Sequence, residues 1–491
     1  MQKKKSNRSR RKFITKITSA TAAVAAGSFV TNADLETVAA NVNTNSKPSE
    51  LRITDLRLAG NIVRIDTNQG ISGYGNIRGS KTYALILKSR LLGMNPCNVD
   101  QTFRKIKQFA HHGRQAGGVS GVEMALWDLA GKAWGVPVWQ MLGGKFRDKI
   151  LLYADTKQWK EIKSPDEKQP SLDPVVQGEW SAKRLNQRQE WGYKIIKLDF
   201  SIGQMIGLED MVSAPPPLSG RWLLGMGYPD DPYHYNRTAH PFKGIRITQK
   251  GLDFFTVFWQ TIRDIIGWEV PVLTDHYGHL VIEDCIKLAQ TVDPFNLAWL
   301  EDMVPWMYSD QILRLKNSCT TPICTGEDIY LKEGFTDLFD KKAISFCHPD
   351  LQQTGGILET KKIGDLAMEN GISMAIHCAA TPVAEYASAH CAAATENFYA
   401  LEKNGADDPE YYDIVKNVHL PVVDDGYIHV PNGPGLGFEI DEDALKKSME
   451  RYRRRDPNSG GYFEPTDEWD NERSHDRLWS MNSPIGTTSR S

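Results

Sequence analysis

The feature that most constrains this chain is a rhythm in its later part. Short apolar runs end, one after another, in an ionisable side chain: Leu273-Thr-Asp275, Ala298-Trp-Leu-Glu301, Thr325-Gly-Glu327, Phe346-Cys-His-Pro-Asp350, Ala375-Ile-His377 and Ala400-Leu-Glu402. The steps between those ends are 26, 26, 23, 27 and 25 residues. Two earlier runs end near Asp155 and Asp199, which brings the number to eight. Buried strands alternating with longer helical patterns describe βα units and a parallel sheet. Eight such units over about 250 residues are the size of a closed β/α barrel. The alternative is an open doubly wound sheet, but no glycine-rich phosphate loop follows a first strand.

A different pattern precedes the barrel. From Leu51 to Cys97, short alternating runs are joined by glycine turns, as in Gly70-Ile-Ser-Gly-Tyr-Gly75, and predict an antiparallel meander. Val122, Ala125, Leu126, Leu129, Ala130 and Ala133 then recur at helical spacing and predict a helix from Ser120 to Trp134. The expected organisation is an α+β capping domain over 51–150 and a barrel over 151–424. A return to the cap follows over 425–450, and a polar, aromatic tail over 451–491. Between Asp199 and Asp275 the repeat is interrupted by an insertion at about 203–250 that carries Pro215-Pro216-Pro217. It leaves the end of a strand where barrel active sites lie, as a lid or as a surface excursion.

Charge adds a targeting argument. Residues 1–33 hold eight basic side chains and no acid, so the rest of the chain carries −11 where the total is −3. Ser9-Arg10-Arg11-Lys12-Phe13-Ile14 precedes a mild apolar run from Ile17 to Val30, as in a twin-arginine export signal over 1–40. Export to the periplasm or the outside is the expectation. No apolar run is long enough for a membrane span, and no basic, aromatic stretch continues the arm towards nucleic acid. The seven cysteines form no C-x-x-C pair and read as small core residues.

In a parallel barrel the strand ends converge on one mouth. Like charges at close range oppose joint ionisation, and a divalent cation relieves carboxylates on three successive strands. Asp275, Glu301 and Glu327 are the candidate ligands, with Mg²⁺ or its substitute Mn²⁺ the cation that oxygen ligands suit. Across the mouth Asp350 and His377 end consecutive strands, and an aspartate that orients an imidazole makes a general base. Lys197, placed at the end of the second strand, is a candidate cation near substrate.

The stretch Gly121-Val-Glu-Met-Ala-Leu-Trp-Asp-Leu-Ala-Gly-Lys132, followed by Gly135-Val-Pro-Val and Leu142-Gly-Gly144, resembles the mandelate racemase/muconate lactonizing branch of the enolase superfamily. The Asp275–Glu301–Glu327 and Asp350–His377 spacings match that branch's metal triad and His-Asp dyad. The resemblance spans roughly residues 51–450. It implies a cap on a Mg²⁺-binding barrel and abstraction of the proton α to a carboxylate. It also implies that Glu402, in protonated form, hydrogen-bonds a substrate carboxylate oxygen.

Departures from the family pattern favour elimination. Racemases of the family carry Lys-x-Lys on the second strand, whereas this chain reads Lys197-Leu198-Asp199. With one base present, His377, loss of a β-hydroxyl from an aldonic or uronic acid is the expected outcome. The general acid is Tyr277, in the place where some acid-sugar dehydratases have His, or His377 itself. Asp199, His276, His279 and Asn76 are candidate substrate contacts. The alternatives are a racemase or epimerase of the same superfamily and a non-catalytic carbohydrate-binding barrel. The expected partners are a small acid sugar and further copies of the chain in a homo-oligomer.

Overall fold

The computed structural model describes residues 46–78, 87–110, 117–156, 173–200, 210–213, 246–275, 280–455 and 462–463. The export segment, most of the 203–250 insertion, Tyr277, His276, His279 and nearly all of the tail lie outside the described residues.

The cap opens on an antiparallel meander of β1 (Ile53–Ala59), β2 (Ile62–Thr67) and β3 (Ser72–Asn76) in the order β1-β2-β3. The helices that pack on it include α1 (Val99–Ile106) and α2 (Gly117–Trp134). Leu56, Val63 and Ile65 point from the meander into a core shared with Val122, Leu126 and Leu129 of α2. The glycines of β3 set how closely that helix lies. A Cβ on Gly75 would stand 2.0 Å from the Gly121 carbonyl oxygen, so neither chain could come as near with a larger residue.

The barrel strands are β4 (Lys149–Ala154), β5 (Ile195–Asp199), β6 (Val272–Asp275), β7 (Trp299–Glu301), β8 (Ile323–Thr325), β9 (Phe346–Cys347), β10 (Ser373–Ile376) and β11 (Phe398–Lys403). All pair in parallel with their neighbours in chain order, and β11 closes the ring on β4 through Leu401–Leu152 and Glu402–Tyr153. The eight-strand barrel expected from the repeat is therefore the observed fold. Its interior is filled by Tyr153, Ile195, Leu273, Trp299, Cys324, Ala375 and Ala400. Each is one of the alternate inward positions of its strand.

Helices cover the outside. The N-cap of α3 (Pro174–Glu190) is Asp173, whose carboxylate accepts from Val175 N–H at 2.8 Å and Val176 N–H at 3.3 Å. Thr248 caps α4 (Gln249–Ile266), whose buried face of Phe255, Phe258, Trp259 and Ile262 packs towards α3, and Gly267 at φ +80° ends it. The remaining outer helices include α5 (Ile282–Val292), α6 (Ser309–Lys316), α7 (Ile357–Glu369) and α8 (Pro382–Ala393). After the ring closes, β12 (Tyr427–His429) pairs antiparallel with the first half of β4, and α9 (Glu442–Arg455) follows. All seven cysteines are free thiols, five of them buried. No helix among the described residues is long and apolar enough to cross a membrane.

Candidate active site

Register builds one half of the mouth. Asp199, Asp275 and Glu301 stand side by side at the ends of β5, β6 and β7. Lys197 lies in the middle of β5 rather than at its end, because the strand runs on to Asp199, and it points inward among the carboxylates. Its Nζ is 3.3 Å from Asp275 Oδ2, 3.1 Å from Glu301 Oε2 and 3.7 Å from Glu402 Oε1. Asp302, in the left-handed conformation at φ +47°, accepts from Thr325 Oγ1–H at 2.6 Å.

The other half is built by β9 and β10. An isolated parallel bridge joins Asp350 to His377, and His377 Nδ1 lies 2.8 Å from Asp350 Oδ2. On its far side His377 Nε2 is 2.7 Å from Glu327 Oε2 and 3.3 Å from Glu402 Oε2. Asp350 is itself held from two directions. Its Oδ1 accepts from Gln352 N–H at 2.7 Å, and Arg78, reaching over from the cap, donates to Oδ2 at 3.1 Å.

These neighbours set the protonation states. Burial pushes Asp275 up to about 6, with Lys197 pulling the other way. Burial also raises Glu301, but His348 and Lys197 overcome it and hold that carboxyl well below its usual range. Asp302 is pushed well up by burial and by Glu301 and Asp275. Burial would lower Lys197, yet Glu301, Glu402 and Asp275 keep it firmly charged. For His377, burial is outweighed by Glu402 and by the Asp350 hydrogen bond, so its basicity is raised.

Glu402, expected to act in protonated form, is pulled both ways: burial favours the neutral carboxyl, but His377 and Lys197 hold it below its ordinary value. Its Oε2 accepts from Cys378 N–H at 2.9 Å, as a carboxylate does.

Of the other expected site residues, Asn76 is buried with its amide spent on protein. Its Nδ2 donates to Ile77 O and Gln352 Oε1, and its Oδ1 accepts from Thr381. It thus ties the cap to the loops that carry Asp350 and His377. The sequence pattern did not single out His348, fully buried two residues before Asp350, with Nδ1 2.9 Å from Glu301 Oε1 and Nε2 2.6 Å from the Tyr153 hydroxyl. The signal was present in Phe346-Cys-His-Pro-Asp350, where two positions of one strand end are ionisable. Arg78 carried no such signal, since only docking of the cap brings it to the mouth.

The donor set suits a hard divalent cation. Asp275, Glu301 and Asp302 each offer an oxygen within 4.8 Å of the others. Among the described residues, carboxylates outnumber Lys197 and Arg78 across the mouth, and oxygen ligands of this kind suit such a cation.

Comparison with known proteins agrees with this geometry. The description "Mandelate racemase / muconate lactonizing enzyme, N-terminal domain" matches residues 34–143, and "Enolase C-terminal domain-like" matches residues 242–444. The chain belongs to the enolase superfamily. Enzymes of that superfamily generally bind Mg²⁺ at acidic residues, and Asp275, Glu301 and Asp302 form such a cluster here. Among this superfamily member's relatives, a D-xylonate dehydratase of Haloferax volcanii is 28% identical over 396 residues, which are 79% of this chain and 85% of the relative. A D-galactonate dehydratase family member of Streptomyces bingchenggensis is 27% identical over 393 residues, 77% of this chain and 87% of the relative. A mandelate racemase/muconate lactonizing enzyme-like protein from Rubrobacter xylanophilus superposes with a TM-score of 0.67 at 29% identity, covering 81% of this chain and 97% of that one.

Proposed function

We propose that this enolase-superfamily member is a Mg²⁺-dependent dehydratase of an aldonic or uronic acid. The observation that carries the proposal is the His377–Asp350 pair, 2.8 Å apart, facing Lys197 and the carboxylates of β6 and β7 across one mouth. The dehydratase names of the relatives support the substrate class.

Asp275 and Glu301, with Asp302 or Glu327, would hold Mg²⁺ or Mn²⁺, which when bound offsets charge gathering on a substrate carboxylate. Lys197 adds a fixed positive charge at the same place, already desolvated and therefore effective. Asp350 accepts the Nδ1–H of His377 and leaves Nε2 to take the proton α to the carboxylate. The β-hydroxyl then departs as water, taking a proton from His377 on the same face or from Tyr277. The resulting enol tautomerises to a 2-keto-3-deoxy acid. Arg78 and Gln352 act through Asp350, fixing the carboxylate that aims the imidazole.

A library of acid sugars incubated in D₂O with Mg²⁺ tests the reading. A keto product is expected from at least one substrate, and His377→Asn should lower kcat by about 10²–10⁴ with the fold intact. Exchange of configuration without a keto product would overturn the lyase in favour of an epimerase. We further infer export by the twin-arginine route from Arg10-Arg11, and self-association. A reporter fused after residue 40 should leave the cytoplasm only while both arginines are present, and sedimentation should give a mass above 55.2 kDa.

A further inference from the structure

The far end of the barrel holds a second cluster of ligating side chains. His429 is the last residue of β12, where it pairs with Lys149, the first residue of β4. Asp424 lies across the same hairpin, and His419 comes from the loop before it. The imidazoles of His419 and His429 are 3.8 Å apart between ring centres, and Asp424 Oδ2 is 3.6 Å from His429 Nε2. One ligating atom from each of the three lies within 4.8 Å of the others.

We propose that His419, Asp424 and His429 form a peripheral site for a borderline transition-metal ion such as Zn²⁺, separate from the catalytic mouth. Two observations point to a ligand. First, His429 Nε2 is closed off from solvent yet makes no hydrogen bond, with Asp424 just beyond reach. A sequestered polar nitrogen without a partner is uncommon, and a metal ion satisfies it. Second, the His419 ring lies against the His429 ring, so a nitrogen of each and an oxygen of Asp424 come within 4.8 Å of one another.

Two imidazoles and one carboxylate with a position left for water suit Zn²⁺ better than Mg²⁺. Metal–nitrogen bonds of about 2.0–2.1 Å require the three groups to draw together slightly. His419 is exposed and its side chain can turn inward to do so. Lys149, 3.3 Å from Asp424 Oδ2, is the competing cation, and its exposed ammonium can swing away into water. The ion would fasten the 415–429 segment to the start of β4, where the chain enters the barrel from the cap. It touches no group at the mouth, so its loss should spare catalysis.

The test uses the full chain, stripped with a chelator and refilled with excess Mg²⁺, then titrated with Zn²⁺ by calorimetry. The wild type should take up one more equivalent of Zn²⁺ than His419→Ala, with a dissociation constant in the micromolar range or tighter. Bound Zn²⁺ should raise the Tm of the wild type but not of the variant. His419→Ala lies on an exposed loop and should fold, and His429→Gln provides a second loss of the same equivalent. Equal Zn²⁺ stoichiometry and equal Tm shifts in wild type and variants would overturn the proposal. So would wild-type binding no tighter than millimolar.

Discussion

Two regions of this molecule bury acidic side chains, and they satisfy them in opposite ways. At the joint between cap and barrel, Glu123 accepts from Ile357 N–H at 2.7 Å, Leu358 N–H at 3.1 Å and Trp127 Nε1–H at 2.7 Å. Asp128, one turn further along α2, accepts from Tyr74 N–H at 2.8 Å, Leu436 N–H at 2.8 Å and Lys132 Nζ at 2.6 Å. Most of these donors are backbone amides that cannot leave, and two of them open α7, where the helix dipole adds to the attraction. At the mouth, by contrast, Asp275, Glu301 and Glu327 face Lys197, His348 and His377. Those partners are side chains, able to move or to exchange for a metal or a substrate. Fixed donors make a carboxylate structural, whereas exchangeable cations keep it available for chemistry.

The sharpest way to break that contrast is Lys197→Met. Removing one partner of a buried ion pair strands the other charge and costs about 3–5 kcal/mol. Metal-free Lys197→Met should therefore unfold at clearly lower denaturant than the wild type. Saturating Mg²⁺ should return much of the loss, because a ligand bound only by the folded state stabilises it. Activity should stay low even then. A stability loss that Mg²⁺ leaves untouched would show that mouth carboxylates behave like those of the joint.

The joint supplies the matching control. Asp128→Asn keeps the shape but replaces one acceptor oxygen with a donor, which faces Tyr74 N–H, Leu436 N–H or Lys132 Nζ. The expected cost is about 1–3 kcal/mol, the same in chelator and in Mg²⁺, with kcat of the folded fraction unchanged. Denaturant titrations under both conditions check it. A Mg²⁺-dependent loss at Asp128 would mean that the joint is coupled to the metal site.

This division also explains what was legible in the sequence. Strand ends were legible because a barrel strand must be apolar until it surfaces, so Asp275, Glu301 and His377 stood out by position alone. The signature helix was legible as a motif, yet its purpose was not. Glu123 and Asp128 face amides of residues 357, 358 and 436, more than 200 positions away, and no local pattern encodes that contact. His348 escaped for a different reason. Between Cys347 and Pro349 it reads as part of a core strand, and only the closing of the barrel sets it against Tyr153 and Glu301. Asp199 was legible as the end of the second run, and β5 does run on to it, which sets Lys197 two residues inside the strand.

The smallest expected effect concerns a third kind of buried titratable group, one with fixed partners on both sides. His390 accepts from Trp139 N–H at Nδ1, 3.2 Å away, and stands 3.1 Å from the Leu436 carbonyl at Nε2. An amide can only donate and a carbonyl can only accept, so the ring is neutral with its proton on Nε2. Burial pushes its pKa down to about 4 from an ordinary 6.5. Above pH 6.5 neither folded nor unfolded His390 is charged, and its contribution is fully present. As pH falls towards 4 the unfolded chain takes up a proton that the folded chain refuses, and stability is lost. The loss is about 1.4 kcal/mol at pH 5.5 relative to pH 8, because each tenfold change in proton affinity is worth about 1.36 kcal/mol. His390→Gln, which can offer an acceptor and a donor in the same places, should be less stable at pH 8 but should lose that part of the slope. Denaturation midpoints of both proteins at pH 8 and 5.5 measure it, and equal slopes would mean that fixed partners at both nitrogens do not hold the ring neutral.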